Sequence, residues 1–335
     1  MLQPAASDAA PALAGDEPAR TEVRHVTIDS EEQGQRLDRV LTRLLPGVPR
    51  TRVFRLIRRG EVRVNGRRAD PEQRLAAGDS LRLPPVREAA PAAPPRVPST
   101  LIETLERAII HEDDRLLVID KPAGVAVHGG SGLSFGVIEA LRASRPEQEL
   151  ELVHRLDRDT SGCLLIAKRA SALRALHALM RAGEVQKGYL VLVAGHWNLG
   201  ATTVDVPLRT DIRVGGERTV KVGAGGKAAR THFKLVESWG RLASLLEARI
   251  DTGRTHQIRV HAAHCGHPVA GDEKYGDEAF NQSMRELGLT RMFLHSHSCA
   301  FTWPGGAEES FSAPLPPQLR AVLDQLAAQQ QRRSR

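Results

Sequence analysis

The chain carries only three cysteines in 335 residues, Cys163, Cys265 and Cys299, odd in number, far apart and without a CxxC. A disulfide framework is therefore not expected to hold the fold, and the three thiols read as small buried hydrophobes. No segment approaches the run of about 18 apolar residues that crosses a bilayer. The opening stretch, MLQPAASDAAPALAGDEPAR, has acids and prolines where a secretory leader has a basic and then an apolar run, which points to a cytoplasmic protein. Zinc spacing is missing too. His256, His261, His264, Cys265 and His267 crowd one segment, but neither HExxH nor CxxC occurs, and on a helix His256 and His261 would lie roughly 140° apart. No metal is expected. Gly223–Lys227 (GAGGK) lacks the spacing of a phosphate loop and fits a hairpin tip.

What the chain has in excess is positive charge. Its net charge is +7 and its pI near 9.7, which favours a polyanionic partner, although charge alone would equally suit a membrane surface. The length suits two domains with at least one sizeable core. Residues 1–23 are Ala/Pro-rich and expected to be disordered, and 87–100 has the composition of a semi-rigid linker. That leaves domains at 24–86 and 101–328 and a basic tail at 329–335. Within the first, PRTRVFRLIRRGEVRVNGRR (Pro49–Arg68) holds eight arginines against a single acid, Glu61. Val53, Leu56 and Ile57 recur at helical spacing and would face a small core, leaving Arg52, Arg55 and Arg59 on an outward stripe with Arg58 beside it. Gly60 then ends the helix, and VRVNGRR reads as a hairpin around Asn65 and Gly66. An ordinary solvated face mixes signs, and this one does not. With RLD at Arg36–Asp38 and AGD at Ala77–Asp79, the stretch resembles the S4 RNA-binding module. The resemblance implies that Arg50, Arg52, Arg55, Arg58, Arg59 and Arg68 grip phosphates and read RNA shape.

The densest chemistry lies in HRLDRDTSG, His154–Gly162, which sets one carboxylate, Asp157, among arginines, hydroxyls and a glycine. Leu152–Val153 and Leu164–Ala167 read as short strands, so the motif sits on a strand-to-strand connection. Alone, Asp157 and Asp159 beside Arg155 and Arg158 could be a surface turn laced with ion pairs worth about 0–1 kcal/mol. Its company argues otherwise: KPAGVAVHGGSG (Lys121–Gly132), KGY (Lys187–Tyr189) and TGRTHQIRVHAAHCGHPVAGDEKYG (Thr252–Gly276). The Gly129–Gly132 stretch either lets backbone approach RNA or turns the chain before a helix start at Ser134. Arg115–Ile119, Tyr189–Ala194, Thr231–Val236 and Ala243–Ile250 read as strands, and Ser171–Arg181 and Pro317–Gln330 as helices. The class is α+β with mostly antiparallel strands.

Together these motifs resemble the pseudouridine synthases of the ribosomal-RNA large-subunit family, and within it the C type, over roughly residues 24–328. The resemblance implies a long bent mixed sheet with the catalytic cleft across its middle, and isomerisation of uridine to pseudouridine at several sites in 23S (large-subunit) ribosomal RNA. That reaction breaks the N1 glycosidic bond, rotates the uracil and rejoins it through C5, so no metal or organic cofactor is required. Asp157 is implied as the essential aspartate, attacking the ribose C1′ or uracil C6 or taking a sugar proton. Arg254 is implied as its salt-bridge partner and Tyr189 as the side chain that packs on the flipped base. Arg155 would fill or brace the helix that the base leaves, extrusion costing a few kcal/mol. A sister type with another set of target uridines shares most of these motifs. A non-catalytic rRNA binder would lack Asp157 or Arg254, and a metal-dependent RNA hydrolase would be stopped by chelators. A monomer is the default. Two departures from the family pattern stand out: Gly188 before Tyr189, and LHSHS at Leu294–Ser298.

Overall fold

The computed structural model describes residues 22–45, 47–86, 97–129, 135–212 and 218–333. Most of the expected tail and linker, and the proposed helix start at Ser134, lie outside the described residues. The chain divides into two compact units near residue 94.

The first unit contains β1 (Arg24–Thr27), α1 (Leu37–Leu44), α2 (Arg50–Arg58), β2 (Arg63–Val64), β3 (Arg67–Arg68) and β4 (Ser80–Leu83), with its four strands in the order β1-β4-β2-β3. Val53, Leu56 and Ile57 of α2 are buried with Leu37, Val40 and Leu41 of α1 and with Val64, Leu81 and Leu83 of the sheet. The helical apolar stripe therefore closes this small core, and Arg55, Arg58 and Arg59 are left exposed. Gly60 stops α2 in the left-handed region (φ 72°), and Asn65 and Gly66 are both left-handed (φ 51° and 75°), as a two-residue hairpin turn requires.

The second unit begins with α3 (Ser99–Arg107). Pro98 caps that helix, so Ser99 and Thr100 belong to it and not to a linker reaching residue 100. There follow β5 (Ile109–Glu112), β6 (Leu116–Lys121), α4 (Val137–Ser144), β7 (Glu151–Leu152), β8 (Ser161–Ala167), α5 (Ala170–Ala182), β9 (Gln186–Ala194), β10 (Thr202–Asp205), β11 (Leu208–Ile212), β12 (Arg218–Val222), β13 (Arg230–Trp239), β14 (Ala243–Ile250), α6 (Gln257–His264), α7 (Glu278–Glu286), β15 (Leu294–Thr302), β16 (Glu308–Ser312) and α8 (Pro317–Arg333). The last helix thus runs past residue 328 through most of the expected basic tail.

Ten strands make one sheet along the path β10-β13-β14-β9-β15-β8-β6-β5, with β16 added to β15 and β7 to β8. Both faces are covered. Leu117, Ile119, Leu164 and Ile166 enter one core, while Leu116, Val118, Cys163 and Leu165 enter another on the opposite face. This alternation explains why β8 reads as a continuous apolar run. The pairing is antiparallel except where β15 meets β8 at the middle of the sheet, through His295↔Ser161 and Ser296↔Gly162. Here the last glycine of HRLDRDTSG is required: Gly162 has φ 110°, and a Cβ on it would lie 2.1 Å from the Ser296 carbonyl oxygen. GAGGK is not the tip of the β11–β12 hairpin. It follows β12 and folds back on β11, where a Cβ at Gly226 would lie 2.6 Å from the Leu208 carbonyl carbon.

Gly162→Ala is expected to cost at least about 2 kcal/mol of unfolding free energy, because backbone strain and a backbone clash coincide. Gly240→Ala, left-handed at φ 57° but with open space around its Cβ, is expected to cost only about 1 kcal/mol. Chemical denaturation of the two variants side by side measures the difference.

Candidate active site

The HRLDRDTSG segment crosses from β7 to β8, and nearly every residue of it has a fixed task. His154 accepts the Leu165 N–H through Nε2 at 3.1 Å, and burial, with Lys187 nearby, holds its imidazole neutral, down at about 3. Leu156 enters the main core. The Arg158 carbonyl accepts from the Gly124 N–H at 2.8 Å and from the Lys121 ammonium at 3.0 Å. Lys121 is fully buried, and its other two donors go to the carbonyls of Pro122 and Val125, each at 2.8 Å. Burial pulls its ammonium down to about 7, with Asp159 and Asp157 opposing. The KPAG segment therefore clamps the loop that carries Asp157. Arg158 and Asp159 do form a surface pair at 3.2 Å, exposed and of little energetic weight.

Ser161 and His295 resemble a nucleophile and its base but are wired otherwise. Ser161 Oγ lies 2.9 Å from His295 Nδ1, and His295 Nε2 lies 3.1 Å from the Ala313 carbonyl. The carbonyl can only accept, so Nε2 carries the proton and Nδ1 accepts from Ser161. Both residues are buried, and the pair latches β8 to β15.

Asp157 meets a guanidinium, but that of Arg259 and not of Arg254. Arg259 Nη1 lies 3.3 Å from Asp157 Oδ2, with both side chains largely buried. Its other donors, Nε and Nη2, fork onto the fully buried Asp272 at 2.7 and 2.8 Å. Arg259 also lies over the Tyr275 ring, 5.0 Å from its centroid. Burial would raise the Asp272 carboxyl, yet the Arg259 fork outweighs it and holds the group below the usual carboxylate range. Arg254 turns its Nε to the Ala228 carbonyl at 3.0 Å and is exposed at the cleft. The structure makes the choice: within QIRVHAAH every residue from Gln257 to Ala262 is buried, and an arginine there needs a carboxylate. The carboxylate comes from the AGD of the same motif region.

A cavity of about 480 Å³ opens beside Asp157, lined by Arg155, Tyr189, Arg254, His256 and Arg259 among others. Lys187 and Tyr189, two apart on β9, project on one face of the strand and both line it. Burial pushes the Tyr189 phenol well above its ordinary range, so it is a neutral hydroxyl at pH 7. Burial lowers the Lys187 ammonium. Arg181, at the end of α5, joins Arg155 and Arg254 as a lining cation that sequence reading did not single out. Arg155, Arg181, Lys187, Arg254 and Arg259 outweigh the lining carboxylates Asp157 and Asp251, which suits a phosphate-bearing ligand.

The crowded histidines do not converge. His261 bonds Thr231 and the Val206 carbonyl, His267 bonds the Ala194 carbonyl, and His256 bonds Tyr275. Among the described residues no group of three His, Cys, Asp or Glu side chains could hold a metal, and no helix is long and apolar enough to cross a membrane. Burial pushes the Cys163 thiol up to about 11 and Cys299 to about 12, so neither is a thiolate.

In the first unit Arg55, Arg58, Arg59 and Arg68 are exposed and Arg52 is half-buried; the Arg50 side chain lies outside the described residues. Strand register adds a row that sequence reading missed. Arg68 lies opposite Arg63, Arg63 opposite Arg82, and Arg82 opposite His25. Their guanidiniums donate to carbonyls, Arg63 to Gly66, Arg68 to Arg58 and Arg82 to Glu61, and among the described residues no carboxylate pairs with them. Like charges directly opposite destabilise a sheet, and a bound polyanion would relieve the row.

Arg259→Ala is expected to lower stability by about 3–5 kcal/mol, because it strands a buried carboxylate, and to abolish turnover. Arg254→Ala is expected to leave stability within about 0.5 kcal/mol while weakening binding of the ligand. Urea denaturation and ligand titration of the two variants separate these roles.

The sequence profile described as RNA pseudouridylate synthase matches residues 115–264, and that of the S4 domain matches 35–81. The ribosomal large subunit pseudouridine synthase C of Pasteurella multocida is 49% identical over 310 residues, covering 92% of this chain and 95% of that one. The Escherichia coli protein of the same name is 49% identical over 311 residues, covering 91% and 97%. Among solved structures, Human RNA Pseudouridylate Synthase Domain Containing 4 shares 25% identity at a TM-score of 0.57 and covers 68% of this chain and 96% of its own. With Asp157, its guanidinium partner and a cationic cleft on such a sheet, the chain belongs to the RNA pseudouridylate synthase family, isomerases of uridine in RNA, and carries an S4 domain ahead of the catalytic one.

Proposed function

We propose that this enzyme isomerises uridine to pseudouridine at several sites of large-subunit (23S) ribosomal RNA, in the cytoplasm, as a monomer and without a cofactor. The relatives' names support the substrate. The observation that carries the mechanism is the Asp157 carboxylate beside the cavity, one oxygen held by Arg259. Attack at C1′, attack at uracil C6 and removal of a sugar proton all demand an ionised carboxylate with a free oxygen. In each case the N1–C1′ bond breaks, a C5–C1′ bond forms, C5 loses a proton and N1 gains one, with no redox change and no net water. Tyr189 packs on the flipped base, and its neutral hydroxyl serves the late loss of the C5 proton. Arg155, exposed at the cleft, braces the RNA that the base has left. Arg254 and Arg181 contact phosphates flanking the target. Residues 24–86 grip the RNA through Arg50, Arg52, Arg55, Arg58, Arg59 and Arg68, extended by Arg63 and Arg82.

The reading is tested by tritium release from large-subunit rRNA labelled at uracil C5, with a chelator present. Wild type is expected to release label and Asp157→Asn none. Release by both would remove Asp157 from the chemistry, and release by neither would leave an RNA binder. Binding should also depend steeply on salt. Replacing Arg55, Arg58, Arg59 and Arg63 together by Ala is expected to lower the slope of log K against log salt by about 3, at about 0.7–0.9 for each phosphate no longer neutralised. An unchanged slope would exclude that surface.

A further inference from the structure

His256 is a residue of the cleft that the mechanism above does not use, and its backbone is unusual. It caps α6 in the left-handed region at φ 55° and ψ 22°, which a residue with a side chain adopts only where its surroundings hold it. Two contacts do so. Nδ1 lies 2.9 Å from the Tyr275 hydroxyl, and the ring meets the Tyr275 ring edge to face at 5.5 Å. The other nitrogen, Nε2, faces Asp157 Oδ2 across 3.8 Å.

The hydrogen-bond chain fixes the tautomer. The Tyr275 oxygen already accepts the backbone N–H of Val220 at 2.9 Å. Among the described residues the acceptor within reach of its own proton is His256 Nδ1, so the phenol donates there. Nδ1 then has no hydrogen, and Nε2 carries it toward the carboxylate. Arg259 Nη1 approaches the same Oδ2 at 3.3 Å, and no described residue bonds Oδ1.

We propose that His256, as the neutral Nε2–H imidazole set by Tyr275, is a positioning residue that holds Asp157 Oδ2 together with Arg259 and leaves Oδ1 as the reacting oxygen. The gap of 3.8 Å closes to a hydrogen bond when the base displaces water from the cleft, as distances at catalytic groups commonly do on substrate binding. The inference rests on Asp157 being the attacking group. The charged groups facing the ring are Asp157 and Asp272 on one side of the balance and Arg259 and Lys274 on the other. Burial, helped by the two cations, keeps the imidazole below its ordinary 6.5 against the pull of the carboxylates. At pH 7 the ring is therefore neutral. In acid it becomes an imidazolium that breaks the Tyr275 bond and binds the carboxylate as a full counter-ion, which weakens its attack.

The test is the pH profile of single-turnover tritium release at saturating RNA for wild type, His256→Gln, His256→Ala and Tyr275→Phe, each checked for folding by thermal unfolding. Wild type is expected to lose rate in acid with a midpoint below about 6.5. Glutamine keeps an N–H near the Nε2 position but does not titrate, so His256→Gln should retain most of the plateau rate and lose this acid limb. His256→Ala should lose about 100-fold of the plateau, as a misplaced reacting group does. Tyr275→Phe removes the donor that favours the neutral ring, and its midpoint should move up toward about 6.5. An acid limb identical in wild type and His256→Gln would overturn the proposal, as would an unmoved midpoint in Tyr275→Phe, which remains decisive if the His256 variants do not fold. Absence of release by wild type at any pH would instead refute the reading of Asp157 itself.

Discussion

Everything at the cleft depends on one guanidinium shared between two carboxylates. Asp272 is wholly buried and takes two donors of Arg259, leaving the third for Asp157. A buried charge is tolerable only when it is paired and hydrogen-bonded, so Asp272 dictates where Arg259 lies, and Arg259 dictates where one oxygen of Asp157 is held. The rest of the site is arranged around that line. Lys121 fixes the backbone just beyond Asp157, the Ser161–His295 latch fixes the strand that follows, and Tyr275 lies under Arg259 while bonding His256. Three segments distant in sequence are thereby referred to one carboxylate oxygen.

Much of this was legible before any coordinates. The Asn65–Gly66 hairpin and the buried stripe of α2 follow from turn chemistry and helical period, which are local properties. The HRLDRDTSG motif was readable as a connection between strands because the runs beside it are apolar and short. What could not be read was which arginine of GRTHQIRVH turns inward. Arg254 and Arg259 have equal chemistry, and the choice is made by the start of α6 and by Asp272, thirteen residues beyond Arg259. The basic row across the small sheet was hidden for a similar reason: Arg63 and Arg82 become neighbours only through strand register.

Gly188 and the LHSHS segment, far apart in sequence, meet in the sheet. Gly188 lies opposite Ser298, beside a bulge in the pairing of β9 with β15. A Cβ at Gly188 would lie 2.4 Å from Ser298 Oγ and 2.8 Å from His297 Nε2. The LHSHS segment and the glycine before Tyr189 thus fit one another, and the strand that presents Lys187 and Tyr189 keeps its course because position 188 has no side chain.

The parallel pairing of β8 with β15 has a consequence for the life of the chain. Ser161 and His295 are separated by 134 positions, so the Ser161–Gly162 end of the strand following Asp157 gains its neighbour on that side only after more than a hundred further residues have been made. Pairings of such long range close slowly, since loop entropy is lost before the pairing forms. The S4 unit has its own core, complete by Val86, and domains fold in the order in which they emerge. The nascent protein therefore owns a folded basic module long before it owns a complete cleft, and its capacity to modify is born last.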